Sequence, residues 1–176
     1  MIEAQDIPID PAWFVRPDGR DASRTIHGVG HTMRVHVHAS EIAEALGLAP
    51  WECEALHYAA MWHDIGRTND GVDYYHGAKS AGKVVGLGLH TAIDPVVLSV
   101  ALFAVTHHSC DETHAERAAA RSDDPEATLR VFRVLKDADG LDRVRLGMGD
   151  LDPSYLRFPV SKTRVGRAWK LLRELP

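Results

Sequence analysis

His63 and Asp64 stand side by side in the stretch Met61-Trp62-His63-Asp64-Ile65-Gly66-Arg67, at the end of an apolar segment with helical spacing. An imidazole joined directly to a carboxylate offers two good ligands for a hard or borderline divalent metal ion. Upstream, Leu56, Ala60 and His63 recur at spacings of four and three, which turns the histidine to the inward face, and Gly66 suits a left-handed helix end. A carboxylate is costly to bury there unless paired, and a metal ion is one of the few partners that make the position favourable. The competing explanation is a surface salt bridge from Asp64 to Arg67. A metal held here would lower the pKa of its bound water towards about 7, supplying hydroxide at neutral pH, and would bind a phosphoryl oxygen.

Further histidines and aspartates fall on apolar stripes or at helix ends. His31, Val35, Ile42 and Leu46 share one stripe of a helical pattern over residues 23–46, which Gly47 and Pro50 end; Gly28 and Gly30 delay its start. Pro50 opens the helix that leads to the His-Asp pair. Residues 68–75, with an Asn-Asp-Gly turn and two tyrosines, read as a lid or rim, and His76-Gly77 then opens a helix rich in small residues. Asp94-Pro95 starts a helix ending in the tandem His107-His108. Asp124-Pro125 starts another, whose face of Val131, Val134, Leu135, Ala138 and Leu141 also carries Asp139 and Asp142, while Asp137 falls mostly outside it. Ser161 can cap a last helix holding Val165, Trp169 and Leu172. No stretch alternates with β-branched enrichment, so no sheet is expected.

Collected, the inward polar set is His31, His63, Asp64, His76, His107, His108 and Asp139, drawn from four or five helices. Ligands contributed one or two per helix are how helical bundles build metal sites. His27, His36, His38, His57, His90 and His114 read as structural, although His27 lies one turn before His31. Arg67, Lys79, Arg143 and Arg145 are cations close to the set in sequence, and Arg67 and Lys79 are the candidates for holding phosphate oxygens.

The chain has 176 residues, 45% hydrophobic and 26% charged, as expected of one soluble globular domain. A net charge of -5 argues against a nucleic-acid or anionic-membrane surface. Cys53 and Cys110 are isolated, which suggests neither a disulfide framework nor a thiolate zinc site. The N-terminus carries early acidic residues and no signal-peptide core, and the longest apolar run, residues 96–105, is about half the ~20 residues that span a bilayer. A cytoplasmic protein is the expectation.

The pattern H…HD…D, with His31 four residues before Val35, the pair His63-Asp64, and Asp139 in Ala138-Asp139-Gly140-Leu141, resembles the HD superfamily of metal-dependent phosphohydrolases over most of residues 23–146. The resemblance implies an all-helical single HD domain with 23–146 as the metal-binding core; Pro8, Pro11, Pro17 and the Asp18-Gly19 turn mark residues 1–22 as an N-terminal arm anchored by Trp13 and Phe14, and 147–176 form a C-terminal loop and helix. The resemblance also implies a divalent metal held by His31, His63, Asp64 and Asp139, acting on a nucleotide or related small phosphorylated metabolite. His76 and His107, with His108 as a further candidate, resemble the extra ligands of the two-metal branch, with Asp64 bridging; His108 could instead contact the substrate phosphate or serve in proton transfer. Iron, manganese, zinc and magnesium all suit such ligands. The Gly-Tyr-Pro element of the cyclic-dinucleotide phosphodiesterases is absent after His107-His108, and so is the glutamate that some nucleotidases of the superfamily carry near the pair. The same six ligands would serve an HD-fold di-iron oxygenase similar to myo-inositol oxygenase. A non-catalytic nucleotide-binding HD module is a third possibility, against which the intact ligand set argues.

Overall fold

A computed structural model of the chain describes residues 8–175; the acidic residues expected at the extreme N-terminus lie outside them. The described residues form eight α-helices: α1 (Val29–Leu46), α2 (Pro50–Trp62), α3 (His76–Gly86), α4 (Pro95–His107), α5 (Glu112–Ala119), α6 (Pro125–Leu141), α7 (Pro159–Lys162) and α8 (Val165–Glu174). Short 3-10 turns cover Pro11–Phe14, Asp142–Leu146 and Pro153–Tyr155. The only β-type pairing among them is an isolated bridge, Val15 to Asp21.

The local signals explain the element ends. Gly47 takes φ 65° and donates back to the carbonyls of Ala43 and Glu44, closing α1 in a left-handed cap. Asp94 and Asp124 accept from first-turn N–H groups of α4 and α6, each followed by proline at the first helical position. Glu52 accepts from the Ala49 N–H at 2.8 Å and pairs with Arg130 at 2.8 Å, which starts α2 and ties it to α6. Helices α1, α2, α4 and α6 pack against one another, and α3 lies on α4. Their common core holds Val35, Ile42, Leu56, Trp62, Val105 and Leu135 at 2% exposure or less. Phe14 is buried and Trp13 packs on the core, so the arm is anchored as expected.

Three local expectations need correction. Gly66 is not in the left-handed region. Helix α2 stops at Trp62 with a right-handed His63 after it, and Gly66 is needed because α3 approaches so closely that a Cβ there would lie 2.2 Å from the Ser80 backbone nitrogen. The polar stretch after the tandem histidines, readable as a loop or a short exposed helix, takes the second form as α5. Ser161 sits inside α7 with its hydroxyl buried and unpaired, and α8 starts separately after Arg164. Asp137 does not face outward: it is fully buried, accepting from the N–H groups of Arg157 and Phe158 at 2.9 and 3.0 Å and pairing with the Arg157 guanidinium. This carboxylate fastens the C-terminal segment to α6. The wheel missed it because residues 157–158 fold back over a face that the helix pattern left uncovered.

Candidate metal centre

Two groups of ligand atoms meet where α1, α2, α3, α4 and α6 converge. His31, His63 and Asp139 form one, and Asp64, His76 and His108 the other; within each, the donor atoms lie within 4.8 Å of one another. The groups adjoin, since Asp64 Oδ2 is 3.5 Å from His31 Nε2 and 3.8 Å from His63 Nε2, while Asp64 Oδ1 is 3.1 Å from His76 Nε2 and 3.5 Å from His108 Nε2. His31, His63 and Asp64 are buried, and Asp139, with a third of its side chain exposed, stands at the mouth.

The histidine orientations follow from the helix ends. His63 and His108 each occupy the position just after a helix, and each ring folds back so that Nδ1 donates to the carbonyl three residues earlier, Ala60 at 2.9 Å and Val105 at 2.7 Å. His76, the first residue of α3, makes the same bond to the Asp73 carbonyl. His31 Nδ1 donates to Asp142 Oδ2 at 2.7 Å. Carbonyl and carboxylate oxygens only accept, so each of these bonds uses an Nδ1–H, and in the neutral ring the lone pair is then on Nε2. The lone-pair nitrogens then face each other: His31 to His63 at 3.1 Å, and His76 to His108 at 2.8 Å. Asp64 Oδ1 accepts no hydrogen bond among the described residues, although two imidazoles border it. Four lone pairs and two carboxylates converging in one buried space repel unless a proton or a cation lies between them.

The ionisation of the groups reflects the same crowding. Burial presses the His63 imidazole down to about 3, against the pull of Asp64. Burial and Arg145 press on His31 too, but Asp142, Asp64 and Asp139 outweigh them and hold it above its ordinary value. Burial alone would raise the Asp64 carboxyl, yet His63, His108, His31 and His76 hold it well below the carboxylate range. Asp139 is likewise lowered despite burial, by His31, His63 and Arg145.

Of the sequence candidates, His31, His63, Asp64, His76 and Asp139 come together. His107 does not: it lies in the last turn of α4, its ring against Phe103 and His114. His108, left open between an extra ligand, a substrate contact and a proton shuttle, stands in the cluster where His107 was expected, with Nδ1 on the Val105 carbonyl and Nε2 facing His76. Lys79 is also outside, paired with Asp73 at 2.7 Å with its side chain 46% exposed. Arg67 is inside. Its Nε lies 3.0 Å from Asp64 Oδ2 and its Nη2 3.4 Å from His76 Nε2, so the Asp64–Arg67 pair exists but is buried, not a surface bridge.

Sequence reasoning noted Asp142 as a second inward carboxylate without giving it a task. It is fully buried and held by Arg34 Nε at 2.6 Å, and it orients His31 from behind, as outer carboxylates orient metal-ligating histidines. Missed altogether was the bridge that Asp70 makes between Arg16 at 2.9 Å and His27 at 3.2 Å, joining the arm, the start of α1 and the loop after Gly66. No family model, curated protein or solved structure matches the chain.

Proposed function

We propose that the chain is a single HD-type helical domain and a metal-dependent phosphohydrolase that binds two divalent ions and acts on a small phosphorylated metabolite. The observation that carries the reading is the convergence of four imidazole lone pairs and two carboxylates, with Asp64 touching both groups. His31, His63 and Asp139 would hold one ion and His76 and His108 the other, with Asp64 shared. Nitrogen and carboxylate donors without thiolate suit iron, manganese, zinc or magnesium. Such ions, when bound, supply a hydroxide at neutral pH and bind phosphoryl oxygens.

The protein's own groups prepare that chemistry. The three i to i−3 carbonyl bonds and the His31–Asp142 bond hold the rings in one tautomer and orientation before any ligand arrives. Burial of His63, Asp64 and His108 keeps water away from all but the Asp139 side, so the ester approaches from there. Arg67, whose guanidinium already lies against Asp64 and His76, offers N–H groups to a phosphoryl oxygen at the cluster.

The test is metal analysis of the purified protein, then a screen of the loaded protein for phosphate release from nucleotides, phosphomonoesters and cyclic dinucleotides. Phosphate release that stops on chelation and returns on reloading is expected. Two irons with oxygen consumption on an organic substrate, and no phosphate from any ester, would replace this reading by the oxygenase one, which the same donor set favours.

A further inference from the structure

We propose that an arginine-lined cleft beside His31 holds a second anionic group of the substrate, so that the ester carries a carboxylate or further phosphate besides the phosphoryl group that reacts. The word substrate rests on the phosphohydrolase reading; the anion site itself does not.

The cleft measures about 460 Å³, a size typical of small-molecule sites, and its wall includes Arg24, Arg34, Arg145 and His31 above an apolar floor of Met33 and Leu172. No carboxylate belongs to the wall. Asp142 lies fully buried behind it, matched by Arg34 at 2.6 Å and 3.7 Å from Arg145. Arg24 is exposed and has no ion-pair partner among the described residues, so the cleft is left positive.

Arg145 is the pointed observation. Its side chain is only 7% exposed, an unusual place for a cation that no carboxylate approaches within 3.5 Å. Its Nε donates to the Ile26 carbonyl at 2.7 Å and its Nη1 to the Asp142 carbonyl at 3.1 Å, which fixes the guanidinium plane. Its Nη2 makes no hydrogen bond among the described residues. Beside it the uncapped start of α1 leaves the first-turn N–H groups of Gly30 and His31 without acceptors. Fixed guanidinium and free helix-start amides form the donor set that binds carboxylate and phosphate.

The cleft adjoins the proposed centre, with His31 between them. His31 forms part of its wall while presenting Nε2 to the cluster, and Arg145 helps to hold the Asp139 carboxyl low. One molecule can therefore present a phosphoryl group to the cluster and a second anion to Arg145 and Arg24. No Phe, Tyr or Trp lines the cleft, so it offers no stacking platform for a nucleobase. The chemistry that fits is a short bis-anionic ester, such as a phosphocarboxylate or sugar bisphosphate.

The experiment is calorimetric titration of inorganic phosphate and of phosphoglycolate into the full chain stripped of metal, so that no ion in the His/Asp cluster holds the anion and any binding left to Arg67 is unaffected by the Arg24 variant. Saturable binding is expected, weakened at least tenfold by Arg24→Glu and by less than twofold by Arg121→Glu, which makes the same charge change at another exposed position. No binding, or equal weakening by both variants, overturns the proposal. Arg145→Lys keeps the charge and loses the planar fork, and binding should weaken there too; if that variant does not fold, Arg24→Glu decides. In the loaded protein, Arg24→Glu should raise KM for phosphoglycolate at least tenfold while kcat changes far less. Arginine-dependent binding to the stripped chain without phosphate release from any ester by the loaded one would sustain the anion site and overturn the hydrolase reading.

Discussion

Gly66→Ala tests whether the approach of α3 to the His-Asp segment builds the second half of the centre. A Cβ at Gly66 would lie 2.2 Å from the Ser80 nitrogen and 2.4 Å from the Lys79 carbonyl carbon, backbone atoms that no rotamer change can move aside. The two segments must part by roughly 1 Å, an overpacking cost of about 1–3 kcal/mol. For a domain of this size that lowers Tm by roughly 2–12 °C. The displaced helix begins with His76, whose Nε2 is 3.1 Å from Asp64 Oδ1 and 2.8 Å from His108 Nε2. Metal–ligand distances tolerate only about 0.2 Å. The variant should therefore lose the ion of the Asp64, His76 and His108 group and keep that of His31, His63 and Asp139. Metal analysis after loading and scanning calorimetry read both effects. Gly82→Ala, in the same helix with open space around its Cβ, is the control and should stabilise by up to about 1 kcal/mol. Two retained ions and an unchanged Tm in Gly66→Ala would refute the reasoning.

Three further outcomes are expected. Asp139→Ala should lose metal with the fold intact, whereas Asp137→Ala should keep metal and lower the urea midpoint, because it frees the N–H groups of Arg157 and Phe158. His108→Ala should lose one ion per chain and His107→Ala none, by metal analysis, since only the former reaches Asp64. His38 is fully buried, neither ring nitrogen has a hydrogen-bond partner among the described residues, and burial lowers it to about 4. Its folded value thus lies below its unfolded value of about 6.5, so its neutral form contributes full stability above that pH. That contribution falls away as pH drops from about 6.5 to 4, by up to roughly 3 kcal/mol, and His38→Leu should flatten this part of the stability profile in urea titrations.

The helical architecture was legible because its signals are local. Asp-Pro pairs mark the starts of α4 and α6, Gly47 ends α1, and the inward stripe of α1 carries His31 where the structure buries it. The convergence of the pair His63-Asp64 with Asp139 was legible for the same reason. The choice between His107 and His108 was not, because adjacent residues at a helix end differ by about 100° in direction and the ring's fold back onto the Val105 carbonyl decides which one enters the centre. Asp137 was misread because its partners, Arg157 and Phe158, come from a loop 20 residues away whose path no periodicity encodes. Gly66 was assigned to a left-handed helix end when its requirement is tertiary, a close approach by Ser80. Arg145 looked like one surface cation among several, and only the packing of the Asp142–Leu146 turn against Ile26 shows it buried beside His31.

The central claim, two cations held by six converging side chains, is tested most directly by anomalous diffraction at the metal absorption edge from crystals of the loaded protein. The account predicts two peaks per chain, one among His31, His63 and Asp139 and one among Asp64, His76 and His108. A single peak would contradict the two-ion centre, and peaks that contact none of these six residues would contradict the assignment of the site itself.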